Sequence, residues 1–316
     1  MSAKNNNPKG IILILIAMFI ISIQDAIMKY IYSDVSLYEI YLIRTLIGFL
    51  IIILFLKITN RPIIITTHYP FLTSCRVILF FFGFSSFYIS LTVMPLATAT
   101  ALFFVSPFLI TIFAKFFLKE QIGTRRWLAV IIGFIGVYII LDPNFNNFDY
   151  LSLTPVFCAL CYALSMIIIK ITSVKDNVYS QILQFYTGAA IFSLIFYFLI
   201  GDGQYNTIDH PAYQFIFREW FSNLKITLPY LIAIGFIAAA SFILIFTSYR
   251  IASPAVISPF EYSIMIWATS YGLIFFDETP DLKTIIGMIL IVCGGIYIFM
   301  REKAEDQSIV IEKPLR

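Results

Sequence analysis

Long apolar segments alternate with short polar or charged loops along the whole chain. Their approximate limits are residues 10–32, 37–57, 70–93, 96–118, 127–142, 150–172, 179–201, 227–250, 254–276 and 282–301. Most segments approach the roughly 20 apolar residues that one α-helix needs to cross a bilayer. The runs are continuous and lack the alternation typical of membrane β-strands. The pattern therefore predicts an all-α polytopic membrane protein with about ten transmembrane helices.

The composition excludes a soluble or disordered protein. Of 316 residues, 60% are hydrophobic and 12% are charged, against about 45–50% and about 25% in soluble domains. Disorder needs low hydrophobicity and high net charge, and this chain has neither. The net charge of +3 provides no concentrated basic face for nucleic acid. The lipid bilayer is therefore the main solvent, and no nucleic-acid partner is expected.

The sequence contains no motif for metal or redox chemistry. Cys158 and Cys161 have C-x-x-C spacing, but they lie in an apolar segment, and helix packing explains them better. His68 and His210 fall in loops on opposite sides of the predicted membrane. H-E-x-x-H and P-loop motifs are absent. We therefore expect no metal, no cofactor and no enzymatic activity; a membrane-embedded enzyme is a remote alternative.

The basic residues predict the orientation of the chain in the membrane. Of the 21 lysines and arginines, Arg44 and Arg76 lie inside predicted helices, and most of the others fall on one side. The opposite side carries only Lys29, Lys225, Lys283 and Arg218. Because cytoplasmic loops are rich in Lys and Arg, both termini are predicted to be cytoplasmic. The long loop 202–226 would then be external, in a multi-pass protein of the bacterial inner membrane.

The two halves of the chain resemble each other. Lys29 and Tyr38 correspond to Lys170 and Tyr179, and farther on Ala97, Glu120 and Gly136 correspond to Ala255, Glu278 and Gly294. Five helices in each half would give the halves opposite orientations in the membrane. We therefore predict inverted five-helix repeats over 1–149 and 150–316, with a short cytoplasmic tail. Such repeats are typical of secondary transporters, whose binding site lies near the midplane between the repeats.

Three stretches resemble the drug/metabolite transporter superfamily, in particular its EamA-type members. They are IQDAIMKY followed by Arg44, the segment from Ala97 through Pro107 to Glu120, and SPFEYSIMIWATSYGLIFFDE. The chain departs from the family pattern at Asp277, where Gly usually precedes the Glu. The resemblance implies a ten-helix metabolite carrier. Relatives with a similar SPFEYS-like helix take up S-adenosylmethionine or riboflavin, and others export amino acids.

Glu261 is the first candidate for substrate binding or coupling. It follows Pro254 by about 10 Å at 1.5 Å per residue, which places it toward the bilayer midplane. Pro259 lies two residues earlier and frees carbonyl groups nearby, because proline cannot donate to the helix ladder. An ionisable residue at this depth indicates function by default. The alternative is a structural hydrogen bond to a neighbouring helix.

Asp25, Lys29 and Arg44 are the second group of candidates. Asp25 and Arg44 have similar predicted depths, and Lys29 follows Asp25 by one helical turn on the same face. The three residues could form a buried ion-pair network that pins the first two helices. Alternatively, they could form an outer gate or a site for a carboxylate. Arg76 could hold an anionic group or extend to the lipid headgroups.

Four further polar or aromatic residues are candidates because they lie well inside predicted spans. Tyr88, Tyr262 and Trp267 could stack on a planar or cationic ligand, and each has a polar tip that needs a partner. Gln184 is a similar polar candidate. Packing between helices is the alternative for all four.

These features predict a secondary active transporter that moves a small organic metabolite by alternating access. Uptake of a substrate like S-adenosylmethionine, riboflavin or an amino acid is favoured, with protons as a possible coupling ion. Export of amino acids or drugs is the alternative. The sequence leaves the substrate, the direction, the coupling ion and the choice between monomer and homodimer open.

Overall fold

Helices account for the regular structure in the described part of the chain. The computed structural model describes residues 7–119, 123–142, 149–252 and 258–311. The longer helices are α1 Asn7–Ile31, α2 Leu37–Ile58, α3 Pro70–Ser90, α4 Leu96–Phe103, α5 Ser106–Phe117, α6 Thr124–Leu141, α7 Thr154–Thr172, α8 Val178–Ile200, α9 Pro211–Phe217, α10 Leu224–Ile251, α11 Ser263–Phe276 and α12 Leu282–Ile311. Two 3₁₀ helices are η1 Tyr150–Leu153 and η2 Ser258–Tyr262.

Within these ranges, eight helical segments are long and apolar enough to cross a membrane. They are α1, α2, α3, α4 with α5, α6, η1 with α7, α8, and α10. The apolar part of α12 is shorter, Leu282–Ile298, and α11 has 14 residues. Large apolar side chains such as Phe198, 81% exposed, and Leu50, 66% exposed, cover the outer surface. The prediction of an all-α polytopic membrane protein is confirmed.

The helices pack in pairs that join distant parts of the chain. α1 lies along α10 and also contacts α11, whereas α7 lies along α3 and also contacts α4 and α5. The pairs α2 with α8, α4 with α11, and α6 with α12 complete the bundle. Gly136 and Gly287 bring α6 and α12 together: a Cβ built on Gly136 would lie 2.8 Å from the Gly287 carbonyl oxygen. Such close backbone contact requires small residues.

The span that runs from α4 into α5 and the span that contains α11 are irregular at similar points. α4 ends before Phe104, and α5 restarts at Ser106. In the described part of the second span, the 3₁₀ helix η2 continues into an α-helix at Ser263. The tripeptide Ser-Pro-Phe occurs at both points, at 106–108 and 258–260. Proline lacks the N–H of the helix ladder, so it is suited to the first turn of a restarted helix.

The long loop after α8 is more structured than the sequence indicates. It contains the short helix α9, and it packs on the connection between α1 and α2. Ser36 Oγ donates to the Ile216 carbonyl at 3.2 Å, and the Phe221 N–H donates to Glu39 Oε2 at 3.2 Å. Asn223 Nδ2 donates to the Asp34 carbonyl at 3.2 Å. These bonds fix the loop over the ends of the first two helices.

Candidate functional site

A cluster of polar side chains lies inside the bundle where α1, α2 and α3 meet. Gln24 Nε2 donates to the Tyr88 hydroxyl at 2.9 Å, and Arg44 donates to the same hydroxyl at 3.4 Å. Asp25 lies beside Gln24 and Tyr88 and within electrostatic range of Arg44. Gln24, Asp25 and Tyr88 are buried, whereas Arg44 is half-buried. The Tyr88 hydroxyl therefore accepts from an amide and a guanidinium group, and the Asp25 carboxylate lies close by.

Arg44 has spare hydrogen-bonding capacity. A guanidinium group carries five N–H donors, but among the described residues Arg44 makes only the long hydrogen bond to Tyr88. Its charged group also lies 5.9 Å from the ring centroid of Tyr41 and 6.0 Å from that of Tyr88. The buried hydroxyl of Tyr186 is near Arg44 and has no hydrogen-bond partner within the described ranges. This side of the cluster can therefore accept an anionic group.

The structure divides the predicted group of Asp25, Lys29 and Arg44. Asp25 and Arg44 both lie in the central cluster, but within the described ranges no ion pair joins them directly. Lys29 does not belong to this cluster. Its Nζ lies 2.5 Å from Glu278 Oε1 and donates to the Met94 carbonyl at 2.7 Å. Sequence spacing predicted that Lys29 lies on the same helix face as Asp25, one turn away. It did not reveal the partner, Glu278, which lies across the bundle.

The candidates Glu261 and Tyr262 lie in η2, just before α11. Glu261 is half-buried and is close enough to Tyr162 and Tyr262 to interact with them electrostatically. The ring of Tyr262 lies 4.8 Å from that of Phe104, centroid to centroid. Because Phe104 marks the break between α4 and α5, the two irregular points of the bundle touch here. The Tyr262 hydroxyl is buried and has no hydrogen-bond partner in the described part of the chain.

Trp267 extends this region along α11. Its ring packs edge-on against Phe19 of α1, with 4.9 Å between centroids. Its Nε1–H and the Ser263 Oγ are buried and have no hydrogen-bond partner among the described residues. Polar groups buried in this way cost free energy unless something pairs with them. Tyr262, against Phe104, and Trp267, against Phe19, are thus two buried aromatic side chains with unused polar atoms.

Arg76 and Gln184 lie apart from the central cluster and bind each other. Arg76 donates to Gln184 Oε1 at 3.0 Å and to the Gln181 carbonyl at 3.1 Å. Gln184 Nε2 donates to the Thr66 carbonyl at 3.2 Å. Arg76 is 2% exposed, so it does not extend to the lipid headgroups. The pair braces α3, α8 and the loop between α2 and α3.

Sequence analysis did not identify Asp176, which lies just before α8 and binds the loop between α2 and α3. The carboxylate is buried and accepts hydrogen bonds from the Thr67 hydroxyl, from the His68 N–H at 3.0 Å and from His68 Nδ1 at 2.9 Å. Burial raises the pKa of Asp176, but these hydrogen bonds outweigh it, and the net pKa lies below the usual 3.8. In the sequence, Asp176 looks like any other acidic residue in a short polar loop.

A helical membrane bundle with a central cluster of both charge signs defines the chain as a membrane transport protein. The EamA-like transporter family matches residues 8–142 and 152–300, and the chain belongs to that family. The expected membership of the drug/metabolite transporter superfamily is confirmed. A solved structure has the same fold, with a TM-score of 0.61 and 13% identity over 94% of this chain and 97% of that chain.

Curated relatives cover most of the chain. The S-adenosylmethionine uptake transporter of Rickettsia prowazekii is 27% identical over 301 residues, 95% of each chain. The riboflavin transporter of Rhizobium johnstonii is 26% identical and covers 77% of this chain and 74% of its own. The pseudopaline exporter CntI of Pseudomonas aeruginosa is 22% identical over 93% of this chain and 97% of its own. All three names describe transport of small metabolites.

Gly295 should be required for the position of Tyr262. A Cβ built on Gly295 would lie 1.7 Å from the Tyr262 hydroxyl and 2.5 Å from Cζ. We expect Gly295→Ala to destabilise the purified protein by about 1–3 kcal/mol, as overpacking does, seen as a lower thermal midpoint. Adding Tyr262→Phe should recover part of the loss. Gly123→Ala is the control, because no described atom lies within 4 Å of a Cβ there; equal midpoints for both glycine variants would contradict the contact.

Asp176 should stabilise the protein in a pH-dependent way. Its pKa in the folded protein lies below 3.8, so its contribution is fully present above the unfolded-state pKa and is lost as the pH falls through the folded-state pKa. We expect Asp176→Asn to lower the thermal midpoint at pH 7, and the difference from wild type to shrink below about pH 3.8. The measurement is a pH series of thermal unfolding. A difference that does not change with pH would mean that the charge is irrelevant.

Proposed function

We propose that this chain is a secondary active transporter that takes up a small organic metabolite across the bacterial inner membrane by alternating access. Family membership supports small-metabolite transport. Four S-adenosylmethionine uptake transporters from Rickettsia species are 26–27% identical over 89–95% of this chain. These relatives favour uptake, with both termini in the cytoplasm as the basic residues predict. The family and the relatives indicate a carrier and not an enzyme.

The transport cycle we propose uses the two halves, 1–149 and 150–316, as inverted repeats. In this correspondence α1 matches α7, α2 matches α8, α3 matches α10, α4 with α5 matches α11, and α6 matches α12. A packing pair between two helices is then repeated by the pair of their counterparts. The pair α1 with α10 then corresponds to α7 with α3, and α1 with α11 to α7 with α4 and α5. The family match to each half supports the same division. Rocking one repeat against the other would expose the centre to each side in turn.

The substrate class we propose is a metabolite with an amino-acid head group and a planar ring. The observation that carries this proposal is the central cluster, where Arg44 and Asp25 both lie close to the Tyr88 hydroxyl. Arg44 would hold the carboxylate in the fork geometry that guanidinium groups favour, and Asp25 would hold the ammonium group. An aromatic side chain, Tyr262 or Trp267, would accept the ring.

S-adenosylmethionine has all of these parts, including a positive sulfonium group. Riboflavin has the planar ring but no amino-acid group, and a simple amino acid lacks the ring. The central cluster therefore favours S-adenosylmethionine among the three. Export is the second candidate, because the similarity to a pseudopaline exporter covers 93% of this chain. A carrier follows its gradients, so the same binding geometry serves either direction.

Labelled S-adenosylmethionine uptake into proteoliposomes tests this function. We expect saturable uptake that unlabelled S-adenosylmethionine inhibits and 5′-methylthioadenosine, which lacks the amino-acid group, inhibits much less. Arg44→Gln should lower kcat/KM by about 10–150-fold, the loss expected for a hydrogen bond to a charged group. Arg125→Gln, an exposed arginine at the start of α6, is the matched control. Equal inhibition by both compounds, or normal uptake by Arg44→Gln, would contradict the head-group assignment.

Glu261 should be required for concentrative uptake and much less for folding. A carboxylate near the middle of the bundle can exchange a proton during the cycle or pair with a cationic substrate group. We expect Glu261→Gln, which keeps the shape, to remain monodisperse and to lose uptake driven by a proton gradient. Surviving substrate exchange would indicate proton coupling, and loss of exchange as well would indicate substrate binding. Full concentrative uptake would leave Glu261 with a structural role.

A further inference from the structure

One ion pair joins three helix ends at the side of the bundle predicted to face outward. Lys29, two residues before the end of α1, binds Glu278, which follows α11, at 2.5 Å between Nζ and Oε1. Lys29 also donates to the Met94 carbonyl at 2.7 Å, and Glu278 Oε2 accepts from the Leu96 N–H at 3.0 Å. The pair therefore ties α1 and the beginning of α4 to the end of α11.

The chain around Glu278 is arranged to hold this contact. Asp277 has a positive φ of 53°, which ends α11 and turns the chain back on the helix. The Glu278 N–H then donates to the Gly272 carbonyl at 2.9 Å. Leu96 is the first residue of α4, so its N–H has no partner within the helix. A carboxylate at this helix start satisfies the donor and is favoured by the helix dipole.

We propose that Lys29 and Glu278 form a lock that closes the outer end of the transport pathway and must break before the pathway opens outward. This inference rests on the alternating-access function proposed above. α1 and α4 belong to the first half of the chain, and α11 belongs to the second half. Because the pair lies at the outer end, the helix ends that it joins must separate when that end opens. Asp25, one helical turn below Lys29, lies in the central cluster that the lock would cover.

The surroundings of the pair suit a contact that opens and closes. The side chains of Lys29 and Glu278 are 9% and 18% exposed, and they lie at helix ends, where water and headgroups can solvate separated charges. Arg76 offers a contrast, because it is 2% exposed and all its partners belong to one packed region. Separating Lys29 from Glu278 would therefore leave two charges that water can hydrate. Separating Arg76 from its partners would leave a buried charge without a partner.

A cysteine behind the lock can report whether the outer end is open. Ser22 is fully buried on α1, about two turns from Lys29 on the same helix face. The reporter is Ser22→Cys in a protein whose four native cysteines are replaced by alanine, labelled from outside with a membrane-impermeant maleimide. We expect Lys29→Gln and Glu278→Gln each to raise the labelling rate about tenfold by shifting the population toward the outward-open state. The double variant should not exceed the larger single effect, because both changes remove one interaction.

Three comparisons separate a lock from a structural brace. Lys170→Gln is the matched control. Lys170 also lies two residues before the end of its helix, α7, but on the opposite side of the predicted membrane. External labelling should therefore not rise in this variant. Lys29→Arg and Glu278→Asp keep the charges and should label more slowly than the Gln variants, which keeps the test usable if a Gln variant folds poorly. Wild-type labelling in monodisperse Lys29→Gln and Glu278→Gln would overturn the proposal. The labelling measurement needs no substrate, so its result does not depend on the S-adenosylmethionine assignment.

Discussion

Polar groups inside a bilayer must find partners within the protein, because the hydrocarbon offers none. Most described polar side chains in the bundle obey this constraint. Arg76 donates to two oxygens, and Lys29 binds both a carboxylate and a carbonyl. Arg44 and Tyr186 differ, since one makes a single long hydrogen bond and the other makes none. Fully partnered groups hold the bundle together, whereas Arg44 keeps donors with which it can bind a polar ligand.

The same constraint explains where the helices are interrupted. A broken helix leaves backbone N–H and carbonyl groups without partners, and these groups are tolerated only where protein or a polar cavity surrounds them. Both interruptions lie inside the bundle, and the contact between Phe104 and Tyr262 brings them together. Gly295 leaves room for Tyr262 because a larger residue would occupy the position of its hydroxyl. The irregular backbone, Tyr262 and Glu261 thus lie together in one part of the bundle.

Loops on the two sides of the bundle use their acidic residues to hold neighbouring segments. Glu39 receives the Phe221 N–H of the long loop after α8, and Asp176 receives the Thr67 and His68 groups of the loop after α2. In both cases a carboxylate satisfies donors of a segment that is distant in sequence. The connections between helices are therefore ordered by hydrogen bonds to acidic residues at or just beyond the ends of helices.

The sequence by itself determined the helical spans, the membrane environment, the family resemblance and most of the polar residues inside the bundle, because hydrophobic periodicity and the cost of buried charge act locally. Even the departure at Asp277 has a local cause, since aspartate is among the residues that adopt positive φ. The tertiary structure decided which polar groups meet. Sequence spacing predicted that Lys29 lies beside Asp25, and it left open whether Arg76 binds an anionic group or extends to the headgroups. In the packed structure, Lys29 binds Glu278 and Arg76 binds Gln184. Partner choice depends on how helices far apart in the chain cross in space, and no local pattern encodes that geometry.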